Sequence, residues 1–112
     1  MTDAEFRALA LALPEVSLGE HSGLPTFLVR GRRFATLGTP GPGKVAFVLS
    51  LEEQEMLLAA CPDVVKRASS AWGLKGHCEL DLAAADTATV RSVIGMAWRR
   101  VAPPRLTRSI QV

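Results

Sequence analysis

Thr26-Phe27-Leu28-Val29-Arg30, Arg33-Phe34-Ala35-Thr36-Leu37 and Lys44-Val45-Ala46-Phe47-Val48-Leu49 read as three consecutive β-strands. Gly31 joins the first two in a tight antiparallel hairpin, and Arg30, Arg32 and Arg33 crowd its turn. Three guanidinium groups at the end of a β-ribbon could grip a phosphate backbone; they also make an ordinary solvated turn, and both readings stand. Gly38-Thr39-Pro40-Gly41-Pro42-Gly43 separates the second strand from the third. Glycine and proline at that density leave room only for a loop. It is not a phosphate-cradling loop, because the G-x-x-x-x-G-K-[ST] spacing is missing and Lys44 opens a strand where such a loop requires a helix. Val45, Phe47 and Leu49 share one face of the third strand, with Ala46 and Val48 on the other. A strand apolar on both faces belongs in the middle of its sheet, and strands that follow one another closely pair antiparallel.

Working outward, residues 2–13 carry a helix signal. Thr2 and Glu5 form a capping box; Phe6, Leu9, Ala10 and Leu13 repeat at helical spacing; Pro14 ends the run. Val16 and Leu18 alternate with polar neighbours between Glu15 and His21, which predicts a first strand. Downstream, Ser50 and Glu53 form a second capping box, followed by a helix whose buried side is read as Met56, Leu57, Leu58 and Cys61. Pro62 can open a further short helix to Lys66. Residues 69–76 read as a loop containing Trp72. His77–Leu82 alternates cleanly, with Cys78, Leu80 and Leu82 on one side and His77, Glu79 and Asp81 on a wet side. Asp86 caps a last helix over 87–101, where Val90, Val93, Ile94, Ala97, Trp98 and Val101 make the strongest amphipathic pattern in the chain. Pro103-Pro104 stops it.

These elements predict an α+β domain of two layers: an antiparallel sheet of about four to five strands with helices packed on one face. One domain spans 1–104, with a tail at 105–112. The 112 residues suit a single domain. Hydrophobic residues at 48% supply a core and argue against disorder. A net charge of +2 is far from that of a histone-like protein, so any nucleic-acid contact has to come from a local patch. Ten of the thirteen cations are arginine; arginine suits bidentate phosphate contact, and a GC-rich genome gives the same bias. Cys61 and Cys78 are read as reduced, buried thiols, which fits a cytoplasmic setting. No apolar run is long enough for a membrane span. A monomer is expected.

Two groups of residues carry possible chemistry. Arg30, Arg32, Arg33 and Lys75 are the candidates for phosphate contact, which is salt-dependent because it releases counterions. Trp72, His77 and His21 are the candidates for a small-molecule or protein-partner site; Trp72, in its glycine-flanked loop, can stack on a ligand or fold back on the core. Arg99, Arg100, Arg105 and Arg108 form a second basic group, which helix-end stabilisation explains for the first two. No catalytic residue is assigned, since nothing sets a base beside either cysteine. No metal or other cofactor is expected: adjacent His77 and Cys78 point to opposite faces of a strand and cannot readily share an ion.

The chain resembles the MmcQ/YjbR family of small bacterial proteins. The resemblance is carried by Leu13-Pro14-Glu15-Val16, by His21 through Gly31, by Phe34-Ala35-Thr36-Leu37 and by Leu51-Glu52-Glu53-Gln54. Trp72-Gly73-Leu74-Lys75-Gly76-His77, Ala97-Trp98-Arg99 and Val101-Ala102-Pro103 complete it. It runs from about residue 5 to residue 106 and implies a two-layer α+β fold, loosely frataxin-like. It also implies a DNA-binding protein of double-wing shape; taken with the basic hairpin and the lack of catalytic motifs, the expectation is a non-enzymatic DNA-binding protein that makes its contact through that hairpin. The sequence departs from the family at His77, where an aromatic residue often follows Lys-Gly. A frataxin-like iron role lacks its acidic ridge, because the first helix offers only Asp3 and Glu5. The alternative is a ligand or partner module on the Trp72–Gly76 loop side.

Overall fold

The two strand-to-strand turns at Ser22-Gly23 and Arg30-Gly31 set the geometry of the meander. Ser22 and Gly23 have φ of 53° and 80°, and Arg30 and Gly31 have 51° and 80°. Two left-handed residues in a row make the mirror-image turn that matches the right-handed twist of the flanking strands, and glycine takes the second position without a Cβ penalty. The computed structural model describes residues 1–39 and 41–104. The tail at 105–112, with Arg105 and Arg108, lies outside the described residues.

The elements run α1 (Asp3–Leu11), β1 (Val16–His21), β2 (Leu24–Val29), β3 (Arg32–Leu37), β4 (Lys44–Val48), α2 (Leu51–Ala60), β5 (Val65–Arg67), β6 (His77–Asp81) and α3 (Thr87–Val101), with a 3-10 helix at Ala71–Lys75. The strands form one antiparallel sheet in the order β1-β2-β3-β4-β6-β5. It has six strands, one more than the upper expectation. The sixth is β5, which replaces the short helix expected from Pro62 to Lys66. Val65 is buried directly across from Leu80, and pairing to β6 outweighs the weak local helix signal.

Two rows of side chains cross the sheet towards the helices. Phe27, Ala35, Phe47 and Cys78 are successive cross-strand partners, as are Leu37, Val45, Leu80 and Val65. All eight are buried. α1 and α3 pack on each other and on this face, and α2 packs at the β5 end. α3 buries the six apolar residues that its sequence pattern singles out.

Each helix starts at the expected cap. Thr2 with Glu5 and Ser50 with Glu53 form reciprocal boxes, and Asp86 accepts the Thr89 N–H at 2.7 Å. The buried side of α2 departs from expectation. Leu57 is buried and Leu58 and Cys61 are half-buried, but Met56 is exposed and Gln54 is buried in its place. Gln54 Nε2 donates to the carbonyls of Gly73 (2.9 Å) and His77 (3.1 Å). A buried amide with partners is stable where one without them is costly, so Gln54 fastens the 3-10 helix and the start of β6 to α2.

Candidate functional site on the uncovered sheet face

Alternation along the strands gives the sheet a second face, which no α-helix covers among the described residues. Thr26, Thr36, Ala46, Glu79 and Lys66 form its central row of cross-strand partners, Leu28 pairs with Arg33 and Val48 with His77. Lys44 and Asp81 pair at one margin with a 2.9 Å ion contact. That hydrogen bond from Lys44, more than any other cause, holds the Asp81 carboxyl below its usual range.

The hairpin arginines do not form one patch. Arg30 lies in the turn and makes a two-pronged contact with Glu15, Nε to Oε1 at 3.0 Å and Nη2 to Oε2 at 3.4 Å. Arg32 and Arg33 are neighbours in a strand and so diverge. Arg32 pairs with Val29 on the helix side and donates from Nη1 to the Val101 carbonyl at 3.4 Å, at the negative end of α3. Arg33 pairs with Leu28 and stands on the uncovered face. Between it and Ala35 a β-bulge inserts Phe34, which is buried in the core. Among the described residues the Arg33 guanidinium has neither an ion pair nor a hydrogen bond.

The second group of candidates does converge. Trp72 is 57% exposed, so it does not fold back into the core. Its ring centroid lies 5.3 Å from that of His77, with the planes inclined at 56°, and the Lys75 ammonium sits 4.8 Å from the ring centre. That spacing is a cation–π contact. A concavity of about 420 Å³ brings Trp72 and His77 together with His21 from the end of β1 and with Arg33. Lys75 therefore joins Arg33 at this place, away from Arg30 and Arg32.

The charges of three cations act on His77. Partial burial, followed by the charges of Arg33, Arg100 and Lys75, lowers the pKa of its imidazole below the ordinary value of 6.5. Arg100, in the last turn of α3, adds its charge to this set although the sequence assigns it only to helix-end stabilisation. A lowered folded-state value means that the unfolded chain takes up the proton first, so His77 withdraws stability as the pH falls below 6.5. His77→Gln should therefore lose less stability between pH 7.5 and pH 5 than the parent. Equal losses in urea midpoints would remove this account.

Cys78 is buried on the helix side, and burial raises its pKa and that of Cys61, which keeps both as thiols. Among the described residues no group of three or more His, Cys, Asp or Glu side chains converges to hold a metal ion. Among the same residues no helix is long and apolar enough to cross a membrane.

A family model described as YjbR matches residues 11–100. Among solved structures the chain is similar to the crystal structure of the Deinococcus radiodurans protein DR2400, whose family-model domain is DUF419. The TM-score is 0.75 at 14% sequence identity, over 96% of this chain and 86% of that one; at that identity the likeness concerns the fold. None of the curated proteins matches the chain.

Proposed function

The chain belongs to the YjbR family, and from that premise we propose that it is a non-enzymatic binding module whose site is the concavity on the uncovered sheet face. The observation that carries this reading is convergence: His21, Trp72 and His77, from three separate segments, line one hollow with Arg33. Its volume of about 420 Å³ lies in the range of small-molecule sites, about 300–1,000 Å³. The pattern of one exposed aromatic wall with a few polar groups at the rim is that of a ligand cleft. The hairpin tip is a poorer candidate, because Arg30 is already held by Glu15.

A second reading is contact with DNA at the same face, through Arg33 and Lys75 instead of the hairpin tip. It is favoured by the three cations that act on His77 beside an exposed tryptophan. Phosphate neutralisation and base stacking use those residue types.

A thermal-shift series tests both, since a ligand of the native state raises the midpoint by mass action. The ligand reading expects a hit in a metabolite panel that is lost in Trp72→Ala and in His21→Ala and persists in Arg30→Ala. A panel without hits, or hits indifferent to Trp72→Ala, sinks it. The DNA reading expects a shift with oligonucleotides that shrinks steeply with salt and vanishes in an Arg33→Ala/Lys75→Ala double variant; a salt-independent shift sinks that.

A further inference from the structure

We propose that the ligand of the uncovered face is a flat aromatic molecule carrying one anionic group, such as an aromatic carboxylate. The inference rests on the ligand-module reading of this site and adds the chemical class. Three features select that class. The floor is smooth: Thr36 and Ala46 are direct cross-strand partners, and Val48 lies beside them on the same face, opposite His77. Short side chains there leave a plane against which a ring can lie. The wall is Trp72, exposed and inclined to His77, so an entering ring meets an aromatic surface in the offset or edge-on arrangement such pairs prefer.

The third feature is sign. Arg33 lines the hollow with its guanidinium unengaged among the described residues, in contrast with Arg30, which has Glu15, and Lys44, which has Asp81. A guanidinium fork matches a carboxylate with two parallel hydrogen bonds. Lys75 and Arg100 add to the same field at His77. Glu79, the cross-strand partner of Ala46, lines an overlapping hollow that shares Arg33, Trp72 and His77 with this one, so it stands at the edge of the site as its one acidic group among the described lining residues. With three cations acting on His77 against that single carboxylate, a cationic ligand meets net like charge on entering.

Calorimetric titration of the full chain with 2-naphthoate, its neutral isostere 2-naphthamide and 2-naphthylmethylammonium tests the class. We expect naphthoate to bind at least tenfold more tightly than the amide, and the ammonium compound to bind most weakly. Arg33→Ala should abolish the preference for naphthoate over the amide, and Trp72→Ala should weaken naphthoate and amide alike. Equal affinity for naphthoate and amide, or a preference that survives Arg33→Ala, overturns the anionic class. If the amide binding is still lost in Trp72→Ala, the ligand-module reading survives that failure. If none of the three compounds binds, the inference falls, and the metabolite panel decides the underlying reading separately.

Discussion

Gly76→Ala should destabilise the protein by about 2–5 kcal/mol, the sum of a left-handed backbone cost and an overpacking cost. Gly76 closes the 3-10 helix that carries Trp72 and Lys75, and it adopts φ of 100° there. A Cβ on this residue would meet the Leu49 carbonyl oxygen, 2.1 Å away. That oxygen cannot easily yield. Leu49 is buried, and its own N–H donates to the Gly76 carbonyl at 3.0 Å. The chain must shift just where His77 begins β6, so the wall of the candidate site is lost along with stability. Gly31→Ala is the matched control. Gly31 has φ of 80°, but nothing lies within 4 Å of its would-be Cβ, which leaves only the backbone cost of about 1–2 kcal/mol. Urea midpoints at constant slope compare the two. A Gly76→Ala loss no larger than that of Gly31→Ala would refute the steric account.

Trp98→Ala should cost about 3–5 kcal/mol, as truncation of a large buried aromatic does when the surroundings cannot close on the cavity. Trp98 is 0% exposed. Its indole N–H donates to the Pro14 carbonyl at 3.1 Å, joining α3 to the segment that follows α1. Phenylalanine keeps much of the volume and loses that bond, so Trp98→Phe should fall between the parent and Trp98→Ala. With Trp98 replaced, Trp72 is the remaining tryptophan, and the emission should shift to the red because Trp72 is exposed. A Trp98→Ala variant within about 1 kcal/mol of the parent would contradict the core assignment, since only surface changes are normally that small.

Much of the fold is legible because its signals are local. A capping box needs two residues three apart, and Thr2/Glu5 and Ser50/Glu53 both form. The apolar repeat of α3 needs only helical periodicity. β5 is not legible in the sequence because its strand character comes from Leu80, Glu79 and Cys78 across the ladder, and the residues after a proline look like the start of a helix. The burial of Gln54 is hidden for a related reason. A polar residue in a helix reads as exposed until two orphan carbonyls from a distant loop are brought to it.

Of the candidate site, the grouping of Trp72, His77 and His21 is legible in the sequence, and the place of Arg33 and Lys75 beside them is not. The residue types mark Trp72, His77 and His21 as able to bind a ligand, and Arg33 and Lys75 as able to hold an anion. Crowding in sequence suggested that Arg30, Arg32 and Arg33 act together, yet a two-residue turn and the twofold repeat of a strand send them to three environments. Arg100, far away in sequence, bears on His77 instead.

From its sequence alone this chain dictated its layers, its helix starts and most of the residues that face the core, because those follow from interactions a few residues apart and from the period of the backbone. Folding decided which charges remain free and which side chains share a hollow. Charges act through space, and only the packed chain fixes whether a guanidinium meets Glu15, a helix-end carbonyl or the hollow of the uncovered face.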